Sequence, residues 1–405
     1  MKILLANKFY YPRGGDCLYT LNLESLLKER GQEAGVFAIQ HPKNRATPFQ
    51  QYFPTEVSYT SVSDEKNRWK AIIRPLGARE VQQKFTALLE DFQPDVVHLN
   101  NIHTHLSPVL AEIAYRRKIR VVWTLHDYKL LCPRYDCLRN DRPCELCFGE
   151  KSAVLKYHCL KNSRTASLLA YIEALKWNRR KLEKQTDVFI CPSEFMKSRM
   201  LAGGFDVSKL KVLSNFTTLP YDLSANDRLR EDYYAYVGRI SKEKGIETLL
   251  IAAQQAGYPL RIAGDGPLFV DLQNRYENDT IRFLGHQSRE AVAELMSKAR
   301  FTVMPSIWYE NNPLSVIESL CLGTPVLGSN RGGIPELIVP GKTGMVFEAG
   351  NTADLVQKIH EMFALVERFH YADIQAEAMR TFSADRYYLE ITGIYKRLIG
   401  FTTIR

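Results

Sequence analysis

The sequence predicts two α/β domains in series, each a doubly wound, Rossmann-like parallel sheet with helices on both faces. Three observations predict it. The chain has 405 residues, more than one ordinary domain at roughly 100–200 residues each. Short apolar runs rich in β-branched residues alternate with Gly-, Pro- or Asn-bearing loops and with segments of helical period, the pattern of strands joined by crossover helices. That alternation runs through two separate series, which fits two sheets better than one large one.

In the first series a strand is expected over 3–6 and a loop over 9–16. A helix follows in which Tyr19, Leu23, Leu26 and Leu27 share a face, with Gly31 as its stop. Further strands are expected over 36–39, 96–99, 121–125 and 188–192, the last closing the first unit. The run 212–215 and the polar stretch 217–229 read as a linker, with the boundary near Thr217. The second series supplies strands over 233–237, 260–263, 281–284, 301–304 and 325–328. Near the end, Tyr387, Tyr388, Ile391 and Ile394 fall at helical spacing in a helix over 384–398. The expected division is a first domain over 1–216 with a Cys-rich insertion at 132–159, a second over 217–384, and a C-terminal helix over 385–405. No short-period repeat appears, which excludes solenoids and propellers.

A chain that is 45% hydrophobic, 24% charged and 11% aromatic is globular, not disordered or fibrous. The apolar run at 3–6 is shorter than a signal-peptide core, and the most apolar later stretch, 168–175, is interrupted by Glu173. A cytoplasmic protein with reduced thiols is therefore expected. The net charge of +9 is unevenly placed: residues 1–225 hold 34 Lys/Arg against 23 Asp/Glu, about +11, and the remainder 20 against 22, about −2. A basic surface suits nucleic acid or an anionic membrane. No recognised nucleic-acid motif or basic face with interleaved aromatics is present, so nucleic acid is the distant alternative and no nucleic-acid partner is expected. The clusters at 116–120 and 179–181 are solvated helix faces, or a docking surface for an anionic membrane at the inner face of the plasma membrane.

The segment PSIWYENNPLSVIESLCLGTPVLGS, residues 305–329, carries the most chemistry. Asn312 suits a helix cap, Pro313 a first turn and Gly323 a stop, so a helix begins where the preceding strand ends. Its free N–H groups favour a phosphate. Glu310 before the helix and Glu318 within it let one carboxylate face a reacting sugar and the other a ribose diol. The competing reading is a pair of solvated surface glutamates.

This Glu-x7-Glu segment resembles the signature of retaining nucleotide-sugar glycosyltransferases of family 4, which have the GT-B fold. VGRISKEKGIETLL at 237–250, RIAGDGP at 261–267, FLGH at 283–286 and SNRGGIPELI at 329–338 resemble that family in the same order. The resemblance implies two Rossmann-like domains facing across a cleft, with a C-terminal helix crossing back to the first. It implies that Arg239 and Lys244 clamp the donor diphosphate beside Gly238, that Glu310 orients the donor sugar, that Glu318 holds the ribose, and that Leu284 lies on the donor side. Asn311 and Asn312 stand where relatives have small residues, and are expected to contact the donor. PRGGDCLYTLNLESLLKERG resembles the family's first loop and helix, so Gly14 and Gly15 would approach a phosphate, with Asp16 on the acceptor side. His126, just past a parallel strand, would line the cleft near the transferred sugar, and His98, Asn100 and His103 are further acceptor-side candidates.

The activity so implied is transfer of a hexosyl group from a UDP- or GDP-linked sugar to a hydroxyl of a lipid-linked or glycan acceptor, with retention of anomeric configuration, in cell-surface polysaccharide or glycolipid synthesis. The leaving diphosphate itself helps deprotonate the attacking hydroxyl, and no catalytic cofactor is required. A GT-B-type nucleotide-sugar epimerase is the alternative. Cys132, Cys137, Cys144, Cys147 and Cys159 lie close together in sequence. Cys137, Cys144, Cys147 and Cys159 have the ligand count of a structural zinc site, with buried free thiols as the competing reading.

Overall fold

The computed structural model describes residues 1–59, 65–218 and 230–400, with the backbone alone at 65–68. Most of the expected linker, 219–229, and the last five residues of the C-terminal helix segment lie outside the described residues. The chain forms two compact units, one of 1–137, 144–213 and 388–405, the other of 138–143 and 214–387.

The first unit is built on β1 (Lys2–Ala6), β2 (Glu33–Phe37), β3 (Val96–Leu99) and β4 (Arg120–Thr124). A two-stranded hairpin, β5 (Leu138–Arg139) and β6 (Arg142–Pro143), groups with the second unit, and β7 (Val188–Cys191) and β8 (Leu210–Val212) complete the first sheet. The sheet order is β2-β1-β3-β4-β7-β8, parallel throughout. Helices cover both faces, so strands such as KILLA and VVHL are buried along their length and read as continuous apolar runs, not as alternations. The chain leaves β1 for β2 on one side and returns through β3 on the other. The β1/β3 junction is thus the topological switch point, where open α/β sheets bind ligands beyond the carboxyl ends of the strands.

Three elements differ from the sequence expectation. β2 starts at Glu33, ahead of 36, because Gly31 turns the chain at φ +73° and Glu33 at once pairs with Lys2. β8 is a sixth strand, pairing Leu210 with Phe189, where the sequence shows only an approach to a linker: it is three residues long with two exposed. The second unit ends its sheet with β14 (Gly344–Phe347), which has no long apolar run to announce it.

The second unit contains β9 (Tyr234–Val237), β10 (Leu260–Ala263), β11 (Ile281–Gly285), β12 (Thr302–Met304), β13 (Val326–Ser329) and β14 in the order β11-β10-β9-β12-β13-β14, all parallel. Its core gathers Tyr234, Tyr236, Leu249, Ile262, Phe301, Ile317, Leu327 and Ile359. Here the switch point falls between β9 and β12.

The C-terminal helix Ala384–Gly400 joins the first unit from Tyr388 onward. Tyr395 is fully buried there, its hydroxyl 2.5 Å from His98 Nδ1, and the Tyr388 hydroxyl accepts from Gln32 Nε2 at 2.9 Å. Among the described residues no helix is long and apolar enough to cross a membrane.

Candidate active site

In the second unit the loops that follow β9 and β12 flank the switch point, and they hold Gly238, Arg239, Lys244 and Glu310. Backbone contact packs these loops together, and glycine permits it. A Cβ on Gly264 (φ +144°) would lie 1.9 Å from the Gly238 carbonyl oxygen. One on Gly332 (φ +60°) would lie 2.0 Å from that of Glu310, whose oxygen accepts from Gly333 N at 2.7 Å. Gly264 and Gly332 stand in the motif stretches the sequence singles out, but their steric role appears only when the loops meet.

Lys244 Nζ lies 2.6 Å from Glu310 Oε1, with the lysine side chain 20% exposed and the glutamate 7%. Ser306 Oγ (2.6 Å) and Trp308 Nε1 (2.8 Å) donate to the same oxygen. Burial alone would raise the Glu310 pKa; the Lys244 charge and these three hydrogen bonds outweigh it and hold the carboxyl below the usual carboxylate range. Glu310 is therefore a fixed anion, with Oε2 making no hydrogen bond among the described residues. Ser306 and Trp308 are hydrogen-bond partners of Glu310 that spacing arguments missed, although both lie in the signature segment. Arg239 is exposed and makes no side-chain hydrogen bond or ion pair among the described residues.

Glu318 sits one turn into the helix Leu314–Cys321. Burial raises its pKa to about 7, against a smaller lowering by Arg289. Asn312 departs from expectation. Pro313 occupies the cap position, and no side chain caps the helix. The Asn312 Oδ1 instead accepts from Asn215 N (2.8 Å) and Ser214 Oγ (3.1 Å), and its carbonyl accepts from Asn215 Nδ2 (2.8 Å). It pins the 214–215 segment, which withdraws it from the donor-contact role. Asn311 lies beside it, and Leu284 is exposed at the end of the edge strand β11.

In the first unit Gly14 and Gly15 are exposed at the start of the helix Gly15–Glu29. Gly14 has extended backbone that any residue adopts. Asp16 follows, with its buried Oδ2 unpartnered. His126 Nε2 lies 3.0 Å from Asn100 Oδ1, and its ring packs edge-on against Tyr19 at 4.7 Å. Because that oxygen can only accept, Nε2 carries the proton. Burial, helped by the Lys8 charge, lowers the His126 pKa to about 4, so the imidazole is neutral at pH 7. Asn100 is 1% exposed and its Nδ2 has no partner.

Two acceptor-side expectations are corrected. His98 is wholly buried, bonded to Tyr395 on one nitrogen and to Thr124 Oγ1 (2.7 Å) on the other, so it joins helix to sheet in the core. His103 turns inward and stacks on Trp123 at 5.4 Å. It also lines a cavity of about 670 Å³ within the first unit, shared with the Lys129–Glu173 ion pair.

The expected zinc set is not assembled either. The thiol that meets Cys137 and Cys147 is that of Cys132, and hydrogen bonds from both lower its pKa. Cys144 instead reaches Cys137 through a backbone hydrogen bond of 2.7 Å. Among the described residues no three His, Cys, Asp or Glu side chains converge as a metal site requires. The residues do not fit the tetrathiolate that the spacing suggested, and buried free thiols describe Cys137 and Cys147.

Comparison with known proteins agrees with this geometry. Residues 224–378 match the family model described as glycosyl transferases group 1, and residues 14–219, half of the chain, match that of glycosyltransferase family 4. The N-acetyl-alpha-D-glucosaminyl L-malate synthase of Bacillus anthracis is 34% identical over 88% of this chain and 87% of its own. An uncharacterized 42.6 kDa protein of the Klebsiella pneumoniae cps region is 26% identical over 83% and 87%. The fold matches sucrose-phosphate synthase from Thermosynechococcus elongatus with a TM-score of 0.72 at 18% identity, over 99% and 100% of the two chains. Anabaena HepE, solved in complex with UDP-glucose, gives 0.67 at 18% over 98% and 100%. With two parallel-sheet Rossmann-like units, the Lys244–Glu310 pair at a switch point and these relatives, the chain belongs to glycosyltransferase family 4 and is a glycosyltransferase of GT-B fold.

Proposed function

We propose that this glycosyltransferase retains anomeric configuration, taking a hexosyl group from a nucleotide sugar held by the second unit to an acceptor hydroxyl bound by the first. The observation that carries this reading is the buried Lys244–Glu310 pair at the β9/β12 switch point. Arg239 and Lys244 bring positive charge to the departing diphosphate, where negative charge grows as the C1–O bond breaks. Glu310, ionised and fixed, offers Oε2 to sugar hydroxyls, and Glu318 takes the ribose diol. The acceptor oxygen bonds to C1 on the face the diphosphate leaves, and its proton passes to a diphosphate oxygen. Neutral His126 contributes a hydrogen bond and no charge.

A UDP-linked donor is favoured by the likeness to HepE, solved with UDP-glucose. The Klebsiella relatives of the cps region favour cell-surface polysaccharide as the product class. A cytoplasmic chain peripheral to the membrane fits best at the helix Arg164–Lys176, where Leu168, Ile172 and Leu175 are exposed beside Lys161 and Lys176. The basic clusters proper are largely spent on ion pairs: Arg116 with Glu112, Arg117 with Glu90, Arg120 with Asp187, and Arg179 with Glu183.

The test is to screen nucleotide sugars for thermal stabilisation, then follow nucleotide release with the best donor as acceptors are added, reading the product's anomeric configuration by proton NMR. Retention with acceptor-dependent release supports the proposal. Inversion refutes it, and conversion of the donor sugar without any acceptor would favour an epimerase.

A further inference from the structure

Lys8 follows β1 at the first unit's switch point, and no part of the donor chemistry uses it. Its backbone is locked from both sides: its N–H donates to the Asn101 carbonyl after β3 (3.0 Å), and its carbonyl accepts from Ile39 N after β2 (3.2 Å). The ammonium lies 5.9 Å from the Phe9 ring centre, and the Arg13 guanidinium lies 4.2 Å from that same centre. Two cations thus share one aromatic platform, and neither forms an ion pair with a carboxylate among the described residues. By contrast, Arg116, Arg117, Arg120, Arg179 and Lys181 of the same unit are each paired with a carboxylate.

Around them lie polar atoms with no partner: Nδ1 of His105, whose ring packs on Phe9 at 5.4 Å, Oδ1 of Asn101, and Nδ2 of the buried Asn100 that holds His126. The Lys8 charge reaches His105 and His126 electrostatically; after burial it is the next cause lowering the His105 pKa to about 3. A hydroxyl-bearing ligand near His126 that also carried an oxyanion would satisfy this set, neutralising Lys8 and Arg13 and accepting from or donating to the orphaned amides.

We propose that Lys8, assisted by Arg13, binds a negatively charged group of the acceptor, so that the acceptor is a hydroxylated phosphate or carboxylate and not a neutral sugar. The proposal rests on the glycosyltransferase reading, with the first unit as the acceptor side.

The test is isothermal titration calorimetry on the full chain saturated with UDP, which occupies the donor cations. The probes are sn-glycerol 3-phosphate for a phosphate, L-malate for a carboxylate and glycerol as the neutral control. At least one anion should bind and glycerol should not. Lys8→Gln should weaken anion binding by about tenfold or more, the loss of one charged hydrogen bond, while Lys8→Arg keeps the affinity within about twofold and shows the position folds. No anion binding by the parent, equal binding of glycerol, or Lys8→Gln titrating like the parent overturns the proposal. Failure of UDP to bind would strike the donor reading alone, because the Lys8 comparison remains readable without it.

Discussion

Replacing Lys244 with Ala removes the only cation that touches Glu310 among the described residues and leaves the carboxylate with Ser306 and Trp308 as its donors. Two losses follow and are separately measurable. Stripping one partner from a buried pair costs about 3–5 kcal/mol; since Lys244 is one-fifth exposed, the low end, about 3 kcal/mol, applies. Turnover should fall further than stability explains. A single preorganised charge at a leaving group is worth about 3–4 kcal/mol, a factor of roughly 10²–10³.

The pH dependence supplies the sign. In the parent, Glu310 is held below its ordinary value of 4.5, so its contribution is fully present above 4.5 and is lost as pH falls through the lower folded value. Without Lys244 the burial penalty dominates, the folded pKa rises above 4.5, and stability instead declines as pH rises through it. The assay pairs urea unfolding between pH 4 and 8 with nucleotide release under saturating donor, for Lys244→Ala, Glu310→Gln and the double variant. The double variant should recover stability relative to Lys244→Ala alone but not turnover. Turnover of Lys244→Ala within about threefold of the parent, or an unchanged pH profile, would refute the reasoning.

Three further outcomes are expected. Because Glu318 titrates near pH 7, nucleotide affinity should strengthen from pH 6 to 8 as the carboxylate ionises, and Glu318→Gln should flatten that dependence in a calorimetric titration. His98 and His105, held near pH 3, and His126, near 4, bind protons more readily unfolded, where their value is 6.5; stability is full above 6.5 and should fall steeply as pH drops toward 4, so a flat urea midpoint over that range would contradict their burial. Gly332→Ala should lower stability by about 1–3 kcal/mol and impair turnover by pushing on Glu310, whereas Gly341→Ala, also at positive φ but with open space around it, should cost only backbone strain; equal melting and equal activity of the two would sink the close-contact account.

The sheets were legible in sequence because both faces are covered: a run such as VVHL has no polar alternation to blur it. The loops after β9 and β12 were legible because charge and glycine cluster just after strands. What spacing does not show is where a polar side chain spends its hydrogen bonds. Asn312 and His98 have the right residue types in the right places, yet one pins the 214–215 segment and the other supports a helix almost 300 positions away. The cysteines fail similarly, since Cys144-x2-Cys147 looks paired while the fold sets Cys132 against Cys137 and Cys147. Lys8 carried no signal at all, because a lone lysine after a strand becomes informative only when its neighbours are seen to leave it uncompensated.

The Tyr395–His98 bond has a consequence for how this chain is made. The first unit is discontinuous, and its histidine ladder is closed by the helix that begins at Ala384. A ribosome releasing residues 1–213 has therefore delivered all six strands of a sheet whose buried His98 has Thr124 but still lacks Tyr395. Completion of that unit waits until the second has been synthesised, a long-range closure of high contact order. Shortening the chain before Tyr395 should leave that unit without its closing bond, even though Arg239, Lys244, Glu310 and Glu318 are all present.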